Sequence, residues 1–278
     1  MRRVFRPVLL LHPDPRLRAR VREACGEEYR VAELDGWPEL EEAVREAPPG
    51  ATVVVDPYRG EARGAGKGAL APELREMLAA YPSTPFVAAM AIRPERHEDL
   101  RRLGRWGVVQ VVAIGHDDTV AAIGMRLRSA RGRPMRALLE QVLPPETSGR
   151  ARAIIEAAAD VVTAGEHGRD LASTLHVSRR TLLRWCERAG LPPPRRLLAW
   201  MRILLACELL DDPGRSVLSV ARTAGYAADS GLRRITQKFL QASPTELRDA
   251  GAFPRAAAAF VQVLHDRRGK MRMATRDG

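Results

Sequence analysis

The chain has almost no lysine. Of its 45 basic residues only Lys67, Lys238 and Lys270 are lysines, so its positive charge is nearly all guanidinium, a group suited to bidentate contact with phosphate or guanine. It also lacks a long hydrophobic run. No stretch approaches the ~18 apolar residues that a membrane-spanning helix requires, and the opening MRRVFRPVLLLHPDP is broken by Arg6 and Pro7 with no small-residue cleavage site after it. A cytoplasmic protein with no membrane partner is expected. Cysteine is scarce too. Cys25, Cys186 and Cys207 are an odd number with no CxxC pair and no histidine at ligand spacing, so reduced, mostly buried thiols are expected and no metal site. No Ser/His/Asp spacing or nucleotide loop is present. The glycine-rich RGEARGAGKGAL (59–70) lacks the GxxxxGK[ST] spacing and does not directly follow a strand end. An enzyme is therefore not expected, nor a cofactor.

What is present is enough chain for two domains: 278 residues, 45% hydrophobic and 28% charged, the composition of an ordinary globular protein. The formal net charge is +11, unevenly spread. Residues 1–130 hold 20 basic against 19 acidic side chains, whereas the remainder holds 25 against 15. The basicity belongs to the C-terminal half.

In the N-terminal half short apolar runs alternate with helical periodicity. VLLL (8–11), YRVAEL (29–34), VVV (53–55), FVAAMA (86–91) and VVQVVAI (108–114) read as buried strands. RLRARVREAC, PELEEAVREA, PELREMLAAY, ERHEDLRRLG and DTVAAIGMRLRSA read as the helices between and after them. Five βα units predict an α/β domain over 1–130, a five-stranded parallel sheet with helices on both faces. This half resembles a response-regulator receiver domain, a flavodoxin-like fold. Such a resemblance implies an acidic pair that holds magnesium, a phosphoacceptor Asp, a Thr or Ser, and a Lys, each at a strand end. Here Asp56 closes ATVVVD at the phosphoacceptor place. The acidic pair falls on His12 and Pro13 with Asp14 one step late, the Thr/Ser place on Met90 and the Lys place on Ile114. Phosphoryl transfer to a carboxylate depends on a divalent ion and a neutralising cation, so a degenerate receiver is expected, serving dimerisation or regulation. Phosphorylation control through Asp56 is the alternative reading.

RSARGRP (128–134) and VLPPETSGR (142–150) frame a short helical piece, MRALLEQ, and mark residues 131–149 as a linker. From there the pattern is all-α, with helices expected at about 150–164, 168–175, 178–189, 194–211, 216–224, 229–240 and 244–250. DLASTLHVSRRTLLR (170–184) and SVARTAGYAADSGLRR (219–234) repeat one design: a short helix with a small residue (Ala172, Ala221), a tight turn, a Ser, then a helix bearing Leu and Arg. This is the helix-turn-helix pattern, met twice about fifty residues apart. Over residues 150–250 the chain resembles the AraC/XylS family of transcription regulators. Leu171-Ala172, Ser178, Leu182, Arg184 and Gly190 carry the likeness, followed by Arg202, Ala206 and Leu209-Leu210. It continues through Val220-Ala221, Gly225-Tyr226, Ser230, Leu232, Arg234 and SPTELR (243–248). Gly231 and Thr236 stand where that family has aromatics, and Gln241 where it has Gly.

Within 178–189 Ser178 is placed to cap a helix, and Leu182, Trp185 and Ala189 form a packing stripe. That leaves Arg179, Arg180, Thr181, Leu183 and Arg184 facing outward, with Ser178, as candidate DNA contacts near the N-terminal turns that read bases. The equivalent set in the second motif is Ser230, Gly231, Arg233, Arg234 and Gln237, with Lys238 as a phosphate contact. Trp185 and Trp200 are expected in the core. The joining helix, Pro194 to Leu210, spans ~25 Å at 1.5 Å per residue and suits two recognition helices near one DNA turn apart, ~34 Å. Beyond it, FPRAAAAFVQVLH is expected to add a helix and DRRGKMRMATRDG to stay a disordered basic tail.

These readings add up to a sequence-specific DNA-binding regulator with domains at 1–130, 150–252 and a 253–278 extension. Double-stranded DNA is the expected partner. The resemblance implies an activator that meets RNA polymerase, and a homodimer through the N-terminal domain is expected. A nonspecific DNA-coating protein is the rival that shares the same charge.

Overall fold

The strands form because β-branched and aliphatic runs sit between helix starts marked by proline. In the computed structural model, which describes residues 6–27, 29–48, 51–60, 68–130, 133–163 and 170–276, β1 (Arg6–Leu11), β2 (Tyr29–Glu33), β3 (Thr52–Val55), β4 (Phe86–Met90) and β5 (Gln110–Ala113) make one sheet in the order β2-β1-β3-β4-β5. Every pairing is parallel, with Val8 opposite both Val31 and Thr52, and Val54 opposite Val87. This is the flavodoxin-like order, whose reversal between β1 and β3 opens a crevice at the strands' carboxyl ends.

Alternation splits the strand residues between two cores. Leu9, Leu11, Val53, Val55, Phe86 and Met90 pack against α2 (Trp37–Glu46), α3 (Pro72–Ala80) and α4 (His97–Trp106) through Leu40, Val44, Leu74, Met77 and Leu103. Val8, Leu10, Val54, Val87 and Val112 pack against α1 (Pro15–Cys25) and α5 (Val120–Ala130) through Leu17, Val21, Ile123 and Leu127. β3 and β4 are buried along their whole length, as a strand covered on both faces must be.

The chain divides into two compact units, one of residues 1–134 with 212–215, the other of 135–211 with 216–278. In the first, Asp212 and Arg215 form a buried ion pair, Nε to Oδ2 at 3.0 Å. The Asp212 carboxylate also accepts from the Ser83 N–H at 3.0 Å and from the Ser83 hydroxyl, while Arg215 donates to the Arg45 carbonyl at 2.9 Å and reaches Thr84 Oγ1 at 3.4 Å. Burial pushes the Asp212 carboxyl above its usual value, opposed by the Ser83 and Arg215 donors. A buried pair is tolerated where further hydrogen bonds satisfy both ions.

The second unit is all helix: α6 (Arg133–Val142), α7 (Gly149–Thr163), α8 (Asp170–Thr174), α9 (Arg179–Arg188), α10 (Pro194–Leu210), α11 (Val217–Thr223), α12 (Asp229–Leu240), α13 (Pro244–Ala250) and α14 (Ala252–Arg276). α10 is apolar on nearly every side and is the hub: it runs from Pro at its first turn and buries Leu197, Trp200, Met201, Leu204, Leu205 and Leu209 among others. Trp200 meets Phe239 edge-on, centroids 5.0 Å apart, and Phe260 at 5.6 Å. Part of the expected linker is packed. Leu139 and Leu143 are buried in the same core as α10. The basic tail differs too: helix α14 runs on through Arg276 rather than ending in a disordered segment. Its first half explains this, because Phe253, Ala256, Phe260 and Leu264 are buried and the Asp211 carboxylate accepts from the Ala252 and Phe253 N–H groups at 2.7 and 2.8 Å. A helix nucleated and packed at one end is readily propagated. Cys25, Cys186 and Cys207 are free and buried, with burial pushing the thiols up to about 11, 11 and 12.

Candidate nucleic-acid interface

Two short helix pairs are built to the same plan. In each, the turn closes with one backbone bond: Val177 N–H to the Ala172 carbonyl and Tyr226 N–H to the Ala221 carbonyl, both 2.9 Å. One residue before each donor the backbone turns left-handed, at His176 (φ 52°) and Gly225 (φ 83°). Ala172 and Ala221 are buried where the helices cross, as are Leu182 and Leu232 on the second helix of each pair. Small residues at the crossing allow that close approach.

Helix α9 begins as expected. Ser178 Oγ accepts from the Thr181 N–H at 3.1 Å and lies 2.9 Å from Thr181 Oγ1, a serine N-cap. Arg179, Arg180 and Arg184 are exposed, Thr181 half-buried, and Leu183, at 40% exposure, is an apolar side chain held outward. Leu182 and Cys186 face the core, and Trp185 packs against it under the Arg150 guanidinium, 5.7 Å from the ring centroid. Among the described residues no ion pair engages Arg179, Arg180, Arg184 or Arg188.

Helix α12 begins differently. Its N-cap is Ala228, without a side-chain cap bond, so Ser230 lies inside the first turn and is exposed. Arg233 and Arg234 face out, as do Gln237 and Lys238, but Arg233 Nε is tied to Asp229 Oδ2 at 3.3 Å. Gly231 is half-buried beside Tyr226. Thr236, one of the departures from the family pattern, is fully buried and its hydroxyl donates to the Arg233 carbonyl at 3.1 Å. Gln241 takes the left-handed conformation (φ 52°) that favours glycine there. The motif thus keeps its frame despite all three departures.

Two features escaped the sequence reading. Arg188 occupies the register of Lys238 on the first helix and is exposed; the fifty-residue offset points to it. The Asp229–Arg233 tether follows from their i, i+4 spacing.

Residues 171–250 match a family model described as a helix-turn-helix domain. This segment is an AraC-type helix-turn-helix domain. Residues 171–250 are thereby of a DNA-binding, transcription-regulating kind. Among solved structures, the chain is similar to full-length FixJ from B. japonicum at 17% identity, covering 69% of this chain and 94% of that one with a TM-score of 0.37. It is also similar to the xylose-binding transcription activator xylR at 12% identity, covering 89% and 71%, with a TM-score of 0.36. No curated protein matches.

At the carboxyl edge of the sheet, the residues near Asp56 do not fit a divalent ion, which needs several hard oxygen donors. His12 is buried; its Nδ1 accepts the Asp14 N–H at 3.1 Å and a backbone hydrogen bond ties the ring to Ala89. Burial holds its pKa below the usual histidine value, opposed by the charge on Asp56. The Asp14 carboxylate caps α1 by accepting the Arg16 N–H at 2.8 Å, and Asp56 Oδ1 accepts the Tyr58 N–H at 3.0 Å. Met90 and Ile114 offer no charge or oxygen. Among the described residues no group of three or more His, Cys, Asp or Glu is placed to hold a metal, and no helix is long and apolar enough to cross a membrane. Most of the 59–70 loop lies outside the described residues.

Proposed function

We propose that the protein is a sequence-specific transcription regulator in which α9 and α12 read two successive major-groove segments of duplex DNA. The observation that carries this reading is the match between the two motifs: the same turn bond, the same buried small residue and the same buried leucine. Their outward faces hold Ser178, Arg179, Arg180, Thr181, Leu183 and Arg184 in one, and Ser230, Gly231, Arg233, Arg234, Gln237 and Lys238 in the other. Guanidinium to guanine and apolar contact to thymine methyl are the pairings these side chains offer, and phosphate contact supplies salt-dependent affinity. α10 spans about 25 Å by its 17 residues, a length that suits reading heads one DNA turn apart.

In this reading residues 150–252 bind DNA and bring RNA polymerase to the site, with 253–278 as an extension. Residues 131–149 join this part to residues 1–130, which regulate or dimerise. The N-terminal part works without phosphorylation at Asp56, because its neighbours supply neither a metal's oxygen donors nor a cation in the Lys place. Selection of sites by the full-length protein from a random duplex pool at near-physiological salt tests this. Two base-specific blocks about one turn apart are expected, and a doubled site would mark a dimer. Binding that fades with salt and enriches no sequence would mean a nonspecific DNA-coating protein instead.

A further inference from the structure

A hollow of about 470 Å³ opens at the first turn of α12. It is lined by Gly225, Tyr226, Ala227, Ala228, Ser230, Gly231 and Arg234. The first motif has no equivalent vacancy in sequence, since the positions matching Ser230 and Gly231 hold Arg180 and Thr181, fifty residues earlier in the same helical register. Glycine within a helix is unfavourable relative to a residue with a side chain, and Gly231 is half-buried in the first turns of α12. A Cβ built at Gly231 would touch Tyr226 Cβ at 3.4 Å and Cδ1 at 3.5 Å, ordinary contact distances. Packing does not demand glycine here.

We infer that this hollow is a specificity pocket for the C5-methyl group of one thymine in the second base block. The inference rests on the reading that α12 enters a major groove. The two alanines and the tyrosine of the lining offer contact to an apolar guest, and the thymine methyl is the apolar group that B-DNA presents in that groove. Seating the methyl against Gly231 gives α12 a base preference through shape where α9 uses long side chains.

The test uses the full-length protein and its selected site. Each thymine of the second block is replaced in turn by deoxyuridine, which removes the methyl and nothing else. One position is expected to lose roughly fourfold in affinity, the effect of one buried CH₂ converted at tenfold per 1.4 kcal/mol. Gly231→Leu, whose side chain fills the hollow, should abolish the thymine-over-uracil preference at that position and leave the first block unchanged, with a Tm no lower than the parent's. Equal affinity for thymine and uracil throughout a specific second block overturns the pocket while leaving the two-block reading intact. So does discrimination that persists in a folded Gly231→Leu. A selected site with no second block overturns both.

Discussion

The two helix-turn-helix motifs are one frame with two faces. From 181 to 190 and from 231 to 240 the order of buried, half-buried and exposed positions is the same, residue for residue. Yet at those positions the inward residues differ (Cys186 against Thr236, Trp185 against Ile235) and the outward ones differ more. The first helix starts with a capping serine and two arginines with no ion-pair partner among the described residues. The second starts with alanine, a carboxylate tethered to Arg233, a serine and a glycine. Packing geometry therefore conserves where a side chain may go, while the choice of side chain at outward positions is left to the partner.

If the frames are equivalent, their anchors are too. Leu182→Ala and Leu232→Ala each remove a buried side chain, 2% and 0% exposed, and each is expected to lower unfolding free energy by about 2–5 kcal/mol. Chemical denaturation of the two variants should give midpoints shifted to a similar degree. A Leu232→Ala variant within about 1 kcal/mol of the parent would mean that the second motif is looser than its burial suggests.

The faces should separate where the frames do not. Arg180→Ala is expected to relax base preference at one position of the first block by about 1–3 kcal/mol, the worth of a bidentate guanine contact. Its register mate, Ser230→Ala, should change preference far less. Binding titrations against single-base variants of the selected site, at fixed salt, measure both. A loss from Arg180→Ala that is equal for every sequence would reassign Arg180 to phosphate.

Much of this arrangement was legible because its signals are local. Ser178, Pro194, Ser243 and the Gly225 turn punctuate the helices, and all seven helices expected between 150 and 250 occur with ends displaced by no more than two residues. The five strands follow from aliphatic runs for the same reason. What could not be read depended on distant partners. DDPGR carries no local signal that Asp212 and Arg215 are buried, with Ser83, Thr84 and the Arg45 carbonyl among their partners. His12 reads as a lost acidic ligand until the Asp14 N–H and Ala89 occupy its ring. The polar DRRGKMRMATR has no apolar period, so its helix follows only from the packed residues before it. At the candidate interface the outward residues were legible by register, whereas the hollow beside Gly231 is a property of neighbours that only the folded chain brings together.

The smallest difference between the motifs lies in their turns. Both need one left-handed residue, and the first uses His176 at φ 52° where the second uses Gly225 at φ 83°. A Cβ at Gly225 would meet nothing within 4 Å, so a substitution there probes backbone conformation alone. A non-glycine residue held left-handed costs about 1–2 kcal/mol, and losing glycine's freedom in the unfolded chain returns about 0.4–1 kcal/mol. Gly225→His should therefore destabilise by roughly 0.5–1 kcal/mol, and His176→Gly should stabilise by a similar amount, both read from denaturation midpoints. Opposite signs would make the two turns interchangeable apart from this strain. A His176→Gly variant that destabilises would show that the imidazole contributes to the first turn something that the second turn does without.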